Sequence, residues 1–220
     1  MDATLTVGRL ASERPYSIPV LQRHRLDFCC GGAKPLADAC AERGVDLNAL
    51  LAEIEAARPR GPDRTDWTRE PLERLVEHIV ARHHRPLDEE LPRLGDLARK
   101  VARVHGDTDR RLLLVRDVLT QLADDLFSHM GKEEAVLFPW IAGGRGASAG
   151  APIRVMTAEH DEHAVMLRQL RELTDDHTPP EHACGSWRAL LHGLSELERD
   201  LQEHIHLENN VLFPRALSGV

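Results

Sequence analysis

The chain has 220 residues and a formal net charge of -8 with both signs interspersed, which leaves no basic footprint for nucleic acid. No run of roughly 18 or more apolar residues occurs, and MDATLTVGRL lacks the basic-then-apolar pattern of a secretory leader, so the reading is a cytoplasmic protein without a membrane span. Four cysteines with no Cys-x-x-Cys pair are too few for a disulfide scaffold, whereas 13 histidines against 4% aromatic residues point to metal or proton chemistry.

Short helical patterns fill residues 1–57. Ser17-Ile18-Pro19 predicts a helix start with proline at an early helical position, and Gly31-Gly32 predicts that helix's end. Just before those glycines stand Cys29 and Cys30, in Asp27-Phe28-Cys29-Cys30-Gly31-Gly32. Adjacent cysteines rarely pair with each other because the ring is strained; they are too close together to make a zinc site alone, and Cys40 is the only nearby third thiol. Two readings stand side by side: reactive, exposed thiols beside bare backbone, or two small residues packed at a helix end. Asp46 to about Arg58 predicts a further helix with Leu47, Leu50, Leu51 and Ile54 on one side, and Arg58-Pro59-Arg60-Gly61-Pro62-Asp63 reads as a linker. A small N-terminal helical domain over 1–58 and a larger domain over 66–220 follow from this division.

Four longer helical patterns run at about 68–103, 109–142, 152–174 and 185–216. Pro86 and Pro92 should make the first irregular or kinked, and the glycine-rich stretch 143–150 reads as a flexible connector. The fold class is all-α, an up-down four-helix bundle behind a small helical domain. Each long helix carries a histidine inside its apolar stripe. The stripes are Val76, Val80, His84, Leu87 and Leu91; Leu122, Leu126, His129, Glu133 and Leu137; Ile153, Met156, His160, His163, Leu167 and Leu170; and Leu190, Leu194, Leu197, Leu201, His204, Glu208 and Leu212.

The spacing repeats. His84 and His160 are 76 residues apart, His129 and His204 are 75 apart, and HMGKEEAVLFP at 129–139 is echoed by HIHLENNVLFP at 204–214. A duplicated helical hairpin would bring four imidazoles and two carboxylates together at mid-bundle. Bare charges on an apolar face are costly, and a cation compensates them. At i and i+4 a His and a Glu point the same way, and a mixed imidazole and carboxylate set suits a pair of iron ions better than tetrahedral zinc. One His-x-x-x-Glu is ordinarily a solvated pair; two matched copies with partner histidines at equal offsets make a metal site the stronger reading. The second copy has Glu208 at the +4 place and Asn209 at +5, which selects Glu133 as ligand and leaves Glu134 solvated. His163, where the first half has Leu87, is either a fifth imidazole on one iron or a group that orients a ligand. His83 reads as a surface or ligand-orienting residue. His24, His78, His105, His177, His182, His192 and His206 read as solvated, and Cys184 as incidental.

DFCCGG, SHMGKEEAVLFP, EHD and HIHLENNVLFPRA together closely resemble the di-iron iron–sulfur cluster repair family (RIC, YtfE/ScdA-like), over nearly the whole chain. The resemblance implies a ScdA-type N-terminal domain and a hemerythrin-like bundle. It also implies a non-haem, oxo- or hydroxo-bridged di-iron centre held by His84, His129, Glu133, His160, His204 and Glu208, with both glutamates bridging. Members of the family protect or restore iron–sulfur clusters after nitric oxide or oxidative damage, so the implied partners are damaged iron–sulfur proteins, with nitric oxide or dioxygen as small ligands. The family often has tyrosine where this chain has Phe28. Iron donation or repair is the leading expectation; a nitric oxide reductase and a hemerythrin-like dioxygen carrier or sensor are the alternatives. Ferritin-type oxidase chemistry is disfavoured, because Glu-x-x-His occurs once, at Glu203 and His206, off the stripe. A homodimer is left open.

Overall fold

A computed structural model describes residues 5–59 and 65–219, and helices dominate it. In chain order they are α1 (Val7–Glu13), α2 (Ile18–Arg23), α3 (Leu36–Arg43), α4 (Leu47–Ala56), α5 (Leu72–Ile79), α6 (Arg85–His105), α7 (Arg111–Lys132), α8 (Phe138–Ala142), α9 (Gly150–Leu173), α10 (Gly185–Leu207) and α11 (Phe213–Ser218). Among the described residues there is no strand, only an isolated bridge between Thr6 and Pro35. Of the expected linker, Arg60, Gly61, Pro62 and Asp63 lie outside the described residues.

Three turns among the described residues are π-helical: Val80–His84, Glu133–Leu137 and Glu208–Leu212. Each is followed by a residue whose N–H reaches back five positions, Arg85 to Val80, Phe138 to Glu133 and Phe213 to Glu208. The next residue is in each case a proline: Pro86, Pro139 or Pro214. Proline has no N–H to donate and its ring meets the carbonyl four residues back, so an α-ladder cannot pass it unchanged. The wider π-turn takes up the misfit and lets the helix resume. The irregularity expected at Pro86 is therefore real and takes this form, while Pro92 sits inside α6.

The chain divides into two compact units. One comprises His78–Pro139 and Arg154–Leu201. Its core interleaves Leu87, Leu91 and Leu94 from α6, Leu119, Leu122 and Leu126 from α7, Leu167 and Leu170 from α9, and Leu190, Leu194 and Leu197 from α10. The result is the four-helix bundle that the leucine stripes predict. After α9, Asp175, Asp176 and His177 take three successive left-handed conformations, with φ of 47, 59 and 59°. Such backbone costs on the order of 1 kcal/mol per residue. A buried network opposes that cost: Arg171 and His177 both bond the Glu198 carboxylate, His177 through Nε2 at 3.1 Å, and Thr174 Oγ1 lies 2.9 Å from His177 Nδ1. His177 is thus not the solvated residue expected, since its side chain is only 7% exposed.

The other unit comprises Met1–Glu77, Trp140–Ile153 and Gln202–Val220. Val7, Leu10, Leu21, Phe28, Leu36, Leu50 and Ile54 form its core. Thr6 and Asp46 cap α1 and α4 through Arg9 N and Ala49 N, and Leu50 and Ile54 are the buried side of α4 as the periodicity predicts. The helix begun at Ser17 ends eight residues before the glycines expected to stop it. It closes at Arg23, His24 is its cap, and Arg25 turns left-handed with φ 54°. Cys29 and Cys30 consequently occupy a loop of bends rather than a helix end.

Burial acts to raise the Glu198 carboxyl, but its bonds to His177 and Arg171 outweigh that and hold it below the usual carboxylate range. A depressed native value means that the stabilisation is fully present above the unfolded value of about 4.3 and is lost as pH falls through the native one. Glu198→Gln should cost about 1–3 kcal/mol of stability at pH 7. Denaturant titrations from neutral to acid pH should show that difference narrowing below about pH 4; a constant difference would remove the carboxylate charge as the cause.

Candidate metal centre

All six residues expected as ligands are buried, none more than 1% exposed. The π-turns place several of them: His84 ends the first, Glu133 opens the second and Glu208 opens the third. Glu133 N–H still reaches His129 O in the regular α pattern, so the widening begins beyond that pair, and the Leu-Phe-Pro that follows each Glu supplies the packing. Phe138 of the first copy stacks on the His84 ring, with centroids 5.6 Å apart and planes 25° apart.

Within the bundle unit, His129, Glu133 and His160 offer donor atoms that all lie within 4.8 Å of one another, and His84 lies equally close to Glu133. Glu133 Oε2 stands 3.5 Å from His129 Nε2 and 3.6 Å from His84 Nε2, so one carboxylate oxygen sits between two imidazoles. His129 Nε2 is also 3.0 Å from His160 Nε2. In the other unit, His204 Nε2 lies 3.0 Å from Glu208 Oε1 one turn along the helix. These are the two His-x-x-x-Glu pairs of the repeat, each closed on itself.

Which ring nitrogen carries the proton follows from what stands behind each ring. His84 Nδ1 donates to Glu134 Oε1 at 2.9 Å, and His129 Nδ1 donates to Glu159 Oε2 at 2.8 Å. In the neutral imidazole each Nε2 then presents a lone pair toward the Glu133 carboxylate. Lone pairs and a carboxylate converging in a dry interior fit a cation, and the carboxylate–histidine pairing is the one that orients metal-ligating imidazoles. The residues present fit iron. The donors are nitrogen and carboxylate oxygen without thiolate, which suits an octahedral ion with exchangeable positions.

Glu134 is therefore not the solvated neighbour that the repeat suggested. It backs His84 and also binds the Arg85 guanidinium. Burial acts to raise its carboxyl, and the bonds from Arg85 and His84 prevail and lower it. Glu159 behaves alike, with burial opposed by Lys132 and His129 and the net shift downward. Sequence reasoning missed Glu159, whose one clue is its place immediately before His160. His83 is buried, not on the surface, with Nδ1 3.2 Å from Asp200 Oδ2. His163 is buried with its ring centroid 5.1 Å from that of His129, and its donors join neither close group.

The cysteine loop corrects two further expectations. Cys29 is buried and Cys30 half-buried, so the pair is not openly exposed. Asp27 Oδ1 accepts from the backbone N–H of both Cys29 and Cys30 and from the Cys29 thiol. The bond with Cys30, then burial, pushes the Cys29 thiol well above its ordinary value. His206, expected in solvent, is buried: Nδ1 donates to Phe28 O at 3.1 Å, and burial lowers its pKa to about 4. Cys184 is exposed, with His105 Nε2 3.3 Å from its sulfur.

Comparison with known proteins adds family evidence. The hemerythrin HHE cation binding domain family matches residues 75–216, and ScdA_N, described as a domain of unknown function, matches residues 3–58. An iron–sulfur cluster repair protein YtfE from Yersinia pseudotuberculosis serotype O:1b is 44% identical over 214 residues, covering 97% of each chain. The protein of that name from Yersinia pestis strain Pestoides F is 43% identical with the same coverage.

If Glu159 fixes the His129 tautomer, Glu159→Gln should weaken iron binding about 10- to 100-fold, read by competition with a chelator. Wild-type affinity in that variant would show that His129 needs no such support.

Proposed function

The chain belongs to the family of the iron–sulfur cluster repair protein YtfE and carries the hemerythrin HHE cation-binding domain, and on that premise we propose that it is a di-iron protein that repairs or protects damaged iron–sulfur clusters. His84, His129, Glu133, His160, His204 and Glu208 would hold the two iron ions, the glutamates supplying the two carboxylates of the set. The observation that carries this reading is the Glu133 carboxylate set between the Nε2 atoms of His84 and His129, each ring held from behind by its own carboxylate. The matched His204 and Glu208 pair, and a family match that spans both copies of the repeat, support extending the set to six residues.

When bound, iron supplies one-electron chemistry and exchangeable positions for nitric oxide or dioxygen. The chain does the rest: Glu134 and Glu159 orient two imidazoles, Glu133 neutralises charge, and Leu126, Met130 and Leu137 exclude water. Four neutral imidazoles and two carboxylates hold iron less tightly than an all-carboxylate cage, which suits a protein that gives iron up. The iron–sulfur proteins that receive it are the partners, and the cytoplasm is the compartment; no helix among the described residues is long and apolar enough to cross a membrane. His163 acts on His129 as a neighbour and not as a ligand, and 1–58 and 66–220 form the cysteine-bearing and metal-binding domains, a division supported by the two family matches.

Anaerobically purified protein should contain close to two irons per chain, falling sharply in Glu133→Ala and staying unchanged in His163→Leu. Incubation with an apo-ferredoxin, a thiol and sulfide should rebuild the cluster, read by its visible absorbance. Sustained catalytic consumption of nitric oxide with no cluster rebuilt would replace repair by reductase chemistry.

A further inference from the structure

The sequence singles out two features that the proposed function does not join: the adjacent cysteines and the second His-x-x-x-Glu. The unit that contains both ties them together. Phe28 O accepts from His206 Nδ1 at 3.1 Å and from Asn210 Nδ2 at 3.2 Å, and Cys29 O accepts from Asn210 Nδ2 at 2.9 Å. The carbonyls on both sides of the Cys29 α-carbon are thus pinned to one helical segment. His206 lies between His204 and Glu208, and Asn210 lies at the middle of the π-turn that Glu208 opens.

The join leaves no slack. A Cβ on Gly32 would stand 2.2 Å from Asn210 Oδ1, and one on Gly8 would stand 2.4 Å from it, so only glycine lets the loop and α1 approach this closely. Gly8 N donates to Gly32 O at 2.9 Å and locks the two approaching strands of backbone to each other. Phe28 packs edge-on against the His206 ring, with centroids 5.5 Å apart. A π-turn has the α-turn as its neighbour state, and changing between them re-registers every residue in the turn. In a close-packed contact such a shift at Asn210 must move the Phe28 and Cys29 carbonyls with it.

We propose that His206 and Asn210 are positioning residues that couple the Cys29–Cys30 loop to the ligand pair His204 and Glu208, so that metal binding changes how fast these thiols react with soft electrophiles. The inference rests on the reading of His204 and Glu208 as ligands. By linkage the coupling runs both ways: a group bound at the thiols changes metal affinity by the same factor as metal changes the equilibrium at the thiols. The pair then works as a sensor of the state of the centre, or as a latch that a soft partner opens to loosen it.

The test uses the full chain, metal-free and loaded anaerobically with ferrous iron, with iodoacetamide as probe. Each alkylation forms one sulfur–carbon bond, expels iodide and releases the thiol proton to solvent. Peptide mass spectrometry reads each cysteine separately, and the exposed Cys184 is the internal control. Iron should change the rate at Cys30 about fivefold or more with Cys184 unaffected. In Asn210→Asp and His206→Gln variants that retain iron and wild-type circular dichroism, the change should shrink below about twofold. Equal rates in metal-free and iron-loaded wild type, with about two irons bound, would overturn the coupling and leave the di-iron reading standing. Wild type that binds no iron would overturn both. A uniform rise at all four cysteines on iron removal marks general unfolding and also overturns the coupling. The wild-type comparison decides the matter without the variants.

Discussion

The Glu133 carboxylate, fully buried between the Nε2 atoms of His84 and His129, is the constraint on which the bundle's design turns. A carboxylate taken out of water needs either a proton or a cation. The Nδ1 protons of the two histidines point away from it, to Glu134 and Glu159. Those outer carboxylates are in turn held by Arg85 and Lys132 at the surface. Around Glu133 stand two imidazoles, behind them two carboxylates, and behind those the Arg85 and Lys132 cations, an arrangement that a cation beside Glu133 would complement.

Holding that arrangement requires the helix to depart from its own regularity. An α-helix places every fourth residue almost in line, and Glu133 follows His129 on such a step. The π-turn that begins at Glu133 adds a residue to the turn, and Pro139, two residues after it, withholds the N–H that a regular ladder would use. The same grammar occurs at Glu208 with Pro214, and at His84 with Pro86. Leu-Phe-Pro is thus part of the centre: the proline withholds its N–H just past the turn, and in the first copy Phe138 stacks on an imidazole. The rest of the bundle is plain leucine packing.

The bundle and the burial of the candidate ligands were legible because both rest on period 3.6, and a histidine inside a leucine stripe breaks that period's chemistry without breaking its geometry. What stood on the other faces was not legible. Glu134 and Asn209 occupy equal places in the two copies, and only the fold shows that Glu134 turns back onto His84. His206 lies off the apolar stripe, yet it is buried because another part of the chain, Phe28, covers that face. Its burial is a tertiary fact with no local signal. Gly31 and Gly32 misled in a similar way: glycine commonly ends helices, but here Gly32 serves a close approach to Asn210, and the helix ends at Arg23 by a left-handed Arg25.

The state of the cysteines bears on what the loop can do. A thiol reacts as its thiolate, and Cys29 is disfavoured as one by its bond with Cys30, by burial and by Asp27 beside it. At rest Cys29 is therefore held against ionisation. The loop's backbone is held separately: Asp27 accepts from the two amides, and Asn210 and His206 donate to the two carbonyls. Backbone ties of this kind fail together when their anchor moves. Two of the anchors lie on the segment that carries His204 and Glu208. On the proposed coupling, the reactivity of the thiols and the geometry of that π-turn change together.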